Sequence, residues 1–340
     1  ILDALWFIIG KIVHVLLMAD FYHEMMEEKQ PQSMPVPAAR MLSPTAFKRI
    51  GWLIAGIALI LGVAAGAAFI QGFNIKGAVK ITGHRGSKVR APENTLSALR
   101  QAIAEGADYA EIDVQTTADG VVVLLHDADL MRVASVNRRL RDINFNELKD
   151  IDAGSWFGSE FSSERIPTLQ EAIDLARDRI KLNIELKFTW PDPALTQKVA
   201  NLIRQNEFSA DCVVSSLNFQ AVTEMKKTFP ELITGFIVFT AAGNLSRMEA
   251  DFLSINATRA APRLVRRLHR NGRAVHVWTV NDFNNVISMI EVGVDNIITD
   301  YPREVRRYLE IWNKLSGSEK IVLMLRNLIV GIESPEPSDL

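Results

Sequence analysis

Cysteine is almost absent from this sequence: its 340 residues contain one, Cys212. A single thiol excludes an internal disulfide and any metal site built on thiolates. Cys212 opens an apolar run and reads as a packed thiol rather than a reactive one. Charge imbalance is missing as well. Lysine and arginine number 38 against 40 acidic residues, a net of -2, which leaves no overall electrostatic footprint for nucleic acid. With 48% hydrophobic residues, the chain has material for one large domain and an appendage. It opens on Ile1 rather than Met, which predicts a segment upstream.

Charge is lacking altogether between Gly51 and Gly72, with Trp52 near one end and Phe73 at the other. About twenty apolar residues span a bilayer, so residues 50–73 predict a transmembrane helix. Arg40, Lys48 and Arg49 precede it and only Lys76 and Lys80 follow closely. That bias puts its N-terminal side in the cytoplasm and the remainder of the chain on the extracytoplasmic side of the cell membrane. Gly62 and Gly66 give a small-xxx-small spacing. Such spacing permits close helix contact and thus a homo-oligomer through membrane helices. Residues 2–19 are apolar apart from Asp3, Lys11 and His14. They read as a helix packed among other membrane helices, or as an amphipathic helix on the bilayer or the main domain. Residues 20–48 form a charged, proline-containing connector. The membrane region is thus 1–76, multi-pass, and membrane lipid is an expected partner.

From Val79 onward, short apolar runs alternate with helical patterns. This rhythm predicts a parallel sheet with helices outside. Nine strand candidates are one more than an eightfold barrel takes. Asp119-Gly120 accounts for the surplus, because Asp-Gly between apolar runs marks a hairpin. Val121–Leu125 then returns beside Tyr109–Val114 and brings His126 level with Asp113. The expected fold is an α/β (β/α)8 barrel over residues 77–316. Residues 127–166 interrupt it as a loop insertion, with Trp156, Phe157 and a basic cluster at Arg138, Arg139 and Arg141. That insertion reads equally as a drifting surface loop and as a substrate wall. Residues 317–340 read as an amphipathic segment that lies on a bilayer, a partner helix or the barrel, followed by a disordered tail.

The chemistry gathers where strands end. The run Val79–Thr82 leads into His84-Arg85-Gly86, and Glu111-Ile-Asp113 and His126-Asp127 follow. Glu111 and Asp113 are two apart and share one strand face, as do Glu185 and Lys187. Like charges side by side need a cation or a shared proton between them. Three carboxylates without cysteine suit a hard divalent cation, Mg2+ or Ca2+, better than zinc.

Several stretches carry a resemblance: Gly83-His-Arg-Gly86, Pro92-Glu-Asn-Thr-Leu-Ser-Ala98, Tyr109 to Asp127, Ile166-Pro-Thr-Leu169, Asn183-Ile-Glu-Leu-Lys187, His276-Val-Trp-Thr-Val-Asn281 and Ile298-Thr-Asp-Tyr-Pro302. In this order they resemble the glycerophosphodiester phosphodiesterase family. The resemblance covers roughly Lys80 to Leu309. It implies a barrel of the phospholipase-C-like phosphodiesterase type and metal-dependent hydrolysis of glycerophosphodiesters to glycerol 3-phosphate and an alcohol. It further implies Glu111, Asp113 and Glu185 as metal ligands, and attack by the glycerol 2-hydroxyl to give a cyclic phosphate that water opens. The insertion departs from the family, because Met131 to Leu140 lacks its usual threonine pair and glycine.

Arg85 offers a planar fork for the substrate phosphate and Lys187 a point charge. His84 and His126 are the expected acid–base pair, since histidine titrates near neutrality. Which acts first as the acid is open. Trp278 reads as an apolar substrate wall or as barrel packing. His276, deeper on the strand, reads as structural, while His14, His23 and His269 carry no assignment. Two other readings stand beside this one. One keeps the chemistry and takes a lysophospholipid, phosphatidylglycerol-type lipid or polyglycerol-phosphate polymer as substrate. The other is a non-catalytic lipid- or partner-binding membrane protein on a barrel scaffold.

Overall fold

The structure is a computed structural model that describes residues 49, 51–54, 56, 57, 60, 62, 79–239, 248–317, 319 and 320. The chain divides into two units, Ile1–Ala68 and Phe69–Leu340. In the first, the described residues are helical, and Trp52, Leu53, Ile57 and Ile60 have exposed side chains. Among the described residues, no helix is long and apolar enough to cross a membrane. The expectations for residues 2–19, 20–48, much of 50–73 and the segment after Lys320 fall outside the described residues.

The second unit is a barrel. Its strands are β1 (Lys80–Gly83), β2 (Tyr109–Thr116), β6 (Lys181–Leu186), β7 (Cys212–Ser216), β8 (Thr234–Val238), β9 (Phe252–Asn256), β10 (Ala274–Trp278) and β11 (Asn296–Thr299). All neighbours are parallel, and β1 pairs with both β11 and β2, so these eight strands close. The surplus strand, β3 (Val122–Leu124), runs antiparallel to β2 with Val114 opposite Leu124. Its turn needs Gly120, whose φ of +81° suits glycine. The Asp-Gly hairpin and the eightfold count therefore both stand.

Helices α1 (Leu96–Ala104), α4 (Leu169–Ala176), α5 (Leu195–Gln205), α6 (Phe219–Thr228), α7 (Pro262–Arg270), α8 (Phe283–Val292) and α9 (Pro302–Lys314) separate the parallel strands, with α2 and α3 in the insertion. Local sequence starts them. Thr168 and Glu171 form a capping box on α4, Asp282 caps α8, and proline opens α7 and α9. One strand face is apolar and packs on these helices, through residues such as Ile112, Ile184, Leu253 and Ile297. The other face is more polar. Thr82 donates to Asn296 at 2.8 Å and Ser215 to Asn183 at 3.0 Å, so these four buried polar groups are paired. On β8, Gly235 leaves room for Phe252, whose ring stacks on His276 with centroids 4.0 Å apart.

The insertion has more order than its sequence indicates. The strands β4 (Asp129–Leu130) and β5 (Val136–Arg139) pair around α2 (Met131–Ala134), and α3 (Phe145–Leu148) follows. Leu130, Val133, Leu140, Ile143 and Leu148 bury a small core of their own. Its basic cluster is largely matched locally: Arg138 donates to Glu147 at 2.9 Å and Arg141 lies 3.7 Å from Asp142.

Candidate active site

The strand ends build the site. After β1 the chain turns through Arg85 and Gly86, both left-handed at φ +53° and +85°. Such a backbone is uncommon for arginine. Contacts to β2 hold it: the Arg85 N–H donates to Glu111 Oε2 at 2.7 Å and the Gly86 N–H to the Glu111 carbonyl at 2.9 Å. Asn94 grips the next carboxylate. Its Nδ2 donates to Asp113 Oδ2 at 2.8 Å and its Oδ1 accepts the Asp113 N–H at 3.0 Å. In-register pairing of β2 and β6 sets Asp113 beside Glu185.

Glu111, Asp113 and Glu185 thereby present carboxylate oxygens within 4.8 Å of one another. Burial, then the charges of Asp113 and Glu185, pushes the Glu111 carboxyl well above the usual range. Burial and Asp113 push Glu185 to about 7, against the pull of Lys187. Two cations lean in. Lys187 Nζ donates to Glu185 at 2.9 Å and lies 3.6 Å from Asp113, while Arg85 Nε lies 3.5 Å from Asp113. Burial opposes the Lys187 charge, but Asp113 and Glu185 outweigh it and raise its pKa. Three carboxylates held this close repel one another as anions and fit a divalent cation, which would relieve that repulsion.

His84 adjoins Arg85 in the chain, and His126 follows Leu125, whose N–H donates to the Asp113 carbonyl at 3.0 Å; an aspartate holds each histidine. His84 Nδ1 pairs with Asp300 Oδ1 at 2.7 Å, and His126 Nδ1 with Asp127 Oδ1 at 2.7 Å. Such a bond on Nδ1 leaves Nε2 available for another partner. Burial lowers the His84 pKa, aided by Lys88 and Arg85, and the Asp300 bond opposes without reversing it. Asp300 itself falls to about 2, because hydrogen bonds from His84, Asn281 and Lys88 outweigh its burial.

Trp278, the last residue of β10, stacks on exposed Phe239, centroids 6.2 Å apart. Leu217, also exposed, directly follows β7. His276 lies one pleat deeper. Burial holds its pKa down at about 3, so it stays neutral within the barrel.

Residues 84–304 match the sequence model of the glycerophosphoryl diester phosphodiesterase family. The chain belongs to that family.

It is 35% identical over 228 residues to a glycerophosphodiester phosphodiesterase of Caldanaerobacter subterraneus, covering 65% of this chain and 94% of the relative. A glycerophosphodiester phosphodiesterase of Bacillus altitudinis is 31% identical over 232 residues, covering 66% and 95%. Among solved structures, an Oleispira antarctica phosphodiesterase in complex with the product sn-glycerol-3-phosphate superposes with a TM-score of 0.63 at 30% identity. That superposition covers 68% of this chain and 96% of the other. This family member is accordingly a phosphoric diester hydrolase that acts on glycerophosphodiesters.

The fold also recruits residues to which sequence reasoning gave no role. Asp300 stands in a stretch that resembles the family, but nothing in a separation of 216 positions aims it at His84. Glu93 accepts from Arg85 at 2.8 Å and is gripped in turn by Arg132, from the insertion. Arg132 also donates to Asp127 at 2.7 Å, completing a chain from Arg85 to His126.

Proposed function

We propose that the barrel mouth hydrolyses its substrate to glycerol 3-phosphate and an alcohol, with His84 and His126 as the acid–base pair. The observation that carries this reading is the grouping of Glu111, Asp113 and Glu185 within 4.8 Å, flanked by Arg85 and Lys187 and by two aspartate-held histidines. Glu111, Asp113 and Glu185 would hold Mg2+ or Ca2+, which supplies positive charge to the phosphate oxygens. Arg85 and Lys187 bind the phosphate and take up the charge that grows on it. One imidazole removes a proton from the attacking oxygen, and the other donates one to the leaving alcohol. Release of sn-glycerol-3-phosphate, the product in the Oleispira antarctica structure, is the assay. His84→Ala or His126→Ala should lower it by roughly a hundredfold to ten-thousandfold with the circular dichroism unchanged. Full turnover in either variant sinks the assignment.

The apolar side of the mouth favours a second substrate reading. Leu217, Phe239 and Trp278 offer surface for an acyl chain, which makes a lysophospholipid or related glycerophospholipid the alternative. Turnover of micellar against water-soluble diesters separates the two.

We further propose that residues 50–73 anchor the enzyme in the cell membrane, catalytic domain outward, with helix contacts through Gly62 and Gly66. The uncharged run and the exposed Trp52, Leu53, Ile57 and Ile60 support this. Extraction by alkaline carbonate, or loss of the domain's activity on protease treatment of inverted vesicles only, would refute it.

A further inference from the structure

The chain as a whole is nearly neutral, yet α7 is not. Its sequence, Pro262-Arg-Leu-Val-Arg-Arg-Leu-His-Arg270, contains no acid. Val265 and Leu268 are buried against the barrel and Leu264 is half-buried. Arg263, Arg266, Arg267 and Arg270 follow the spacing i, i+3, i+4, i+7, which is one helical face, and all four are exposed. Arg259, in the turn before the helix, is exposed too. Among the described residues, the five arginines have no ion pair or hydrogen bond to their side chains, whereas Asp251 and Asp295, which precede β9 and β11, are engaged: Asp251 holds Lys226 at 2.7 Å and Asp295 holds His269 at 2.7 Å.

Self-repulsion makes such a stripe unfavourable in a free surface helix. A structural role in the barrel needs only Leu264, Val265 and Leu268. We infer that the α7 face binds the surface of an anionic phospholipid bilayer. Arginine forks match phosphate groups, and a flat row of unpaired cations suits a plane of negative headgroups. Nucleic acid fits less well, because the helix presents neither an aromatic side chain for base stacking nor a groove to follow a strand. Position agrees with the chemistry. Because α7 follows β9, its first turn lies at the mouth end of the barrel, and the next strand, β10, ends at Trp278. A bilayer held by α7 therefore borders the apolar side of the mouth. The inference rests on this charge pattern and stands whether or not residues 50–73 anchor the chain.

A fluorescence measurement on the full chain tests it. Cys212 is the only cysteine and is buried. Ala261→Cys thus offers one reactive thiol at the head of the stripe, with the arginines intact. Energy transfer from a dye there to a headgroup-labelled lipid is read in phosphatidylcholine vesicles and in vesicles containing phosphatidylglycerol. The expected result is higher transfer in the anionic vesicles, reversed by high salt, which screens the attraction. Each cation near an anionic surface strengthens attachment roughly fivefold. A second protein with R263E, R266E, R267E and R270E added should then show no difference between the two vesicle types, while cleaving soluble glycerophosphodiester at the parent rate. Equal transfer in both vesicle types for the parent stripe overturns the inference. So does a difference that survives the four charge reversals, or a single-stranded RNA homopolymer that binds the stripe when anionic vesicles do not.

Discussion

Arg132 forks onto the carboxylate of Glu93, with Nη1 and Nη2 at 2.7 and 2.8 Å from its two oxygens. Its remaining nitrogen, Nε, reaches Asp127. One guanidinium on the insertion thus steadies both the partner of Arg85 and the partner of His126. Hydrogen bonds from Arg132 and His126 outweigh burial and hold Asp127 at about 2, so it remains an ionised acceptor.

Loss of that fork should misplace both side chains. Arg132→Gln should lower kcat about tenfold to a hundredfold, the usual cost of removing an outer-shell partner, with little change in KM. Arg132→Lys keeps the charge without the bidentate geometry and should recover only part of the rate. Steady-state kinetics on a soluble glycerophosphodiester decides. A glutamine variant with parent kcat refutes the positioning role.

Chelation should abolish turnover, and either Mg2+ or Ca2+ should restore it. Glu111→Gln keeps the shape of the side chain and removes its charge, so metal affinity measured by calorimetry should drop sharply. Affinity in the parent should rise with pH up to about 7, since Glu185 must lose its proton to act as a ligand. Full activity in the presence of EDTA would remove the metal from the proposed reaction.

The same carboxyl should leave a mark on stability. Glu185 titrates at about 7 in the metal-free fold against an ordinary 4.5, so the native state binds more protons than the unfolded chain in that window. Its contribution is therefore present below pH 4.5 and lost as pH rises through about 7. Buried histidines act in the opposite sense: His276, at about 3 against an ordinary 6.5, favours the fold as pH rises. The informative quantity is the difference in Tm between parent and Glu185→Gln in EDTA. It should shift against the parent from pH 4.5 to 7, and saturating divalent cation should erase the trend. A pH-independent difference would show that burial does not hold Glu185 protonated.

Within the barrel, Gly235→Ala places a Cβ 2.0 Å from the Phe252 ring. Overpacking of this kind costs about 1–3 kcal/mol. Chemical denaturation should show a loss of that size, and Phe252→Leu in the same chain should recover part of it. An unchanged midpoint would mean that the ring moves aside freely.

The barrel was legible in the order of residues because its signals are local. Alternating apolar runs and helical periods depend on near neighbours, and Asp119-Gly120 marks its hairpin within a few positions. The pairs Glu111 with Asp113 and Glu185 with Lys187 were legible for the same reason, since a strand repeats every two residues. Closure of the barrel decided the rest. Only the pairing of β1 with β11 brings Asp300 to His84, and only the folded insertion carries Arg132 to Glu93. The left-handed backbone at Arg85 likewise depends on Glu111, contributed by a neighbouring strand. Contacts between distant positions have no period in the chain, so the choice of partner for each side chain of the candidate site belongs to the tertiary structure.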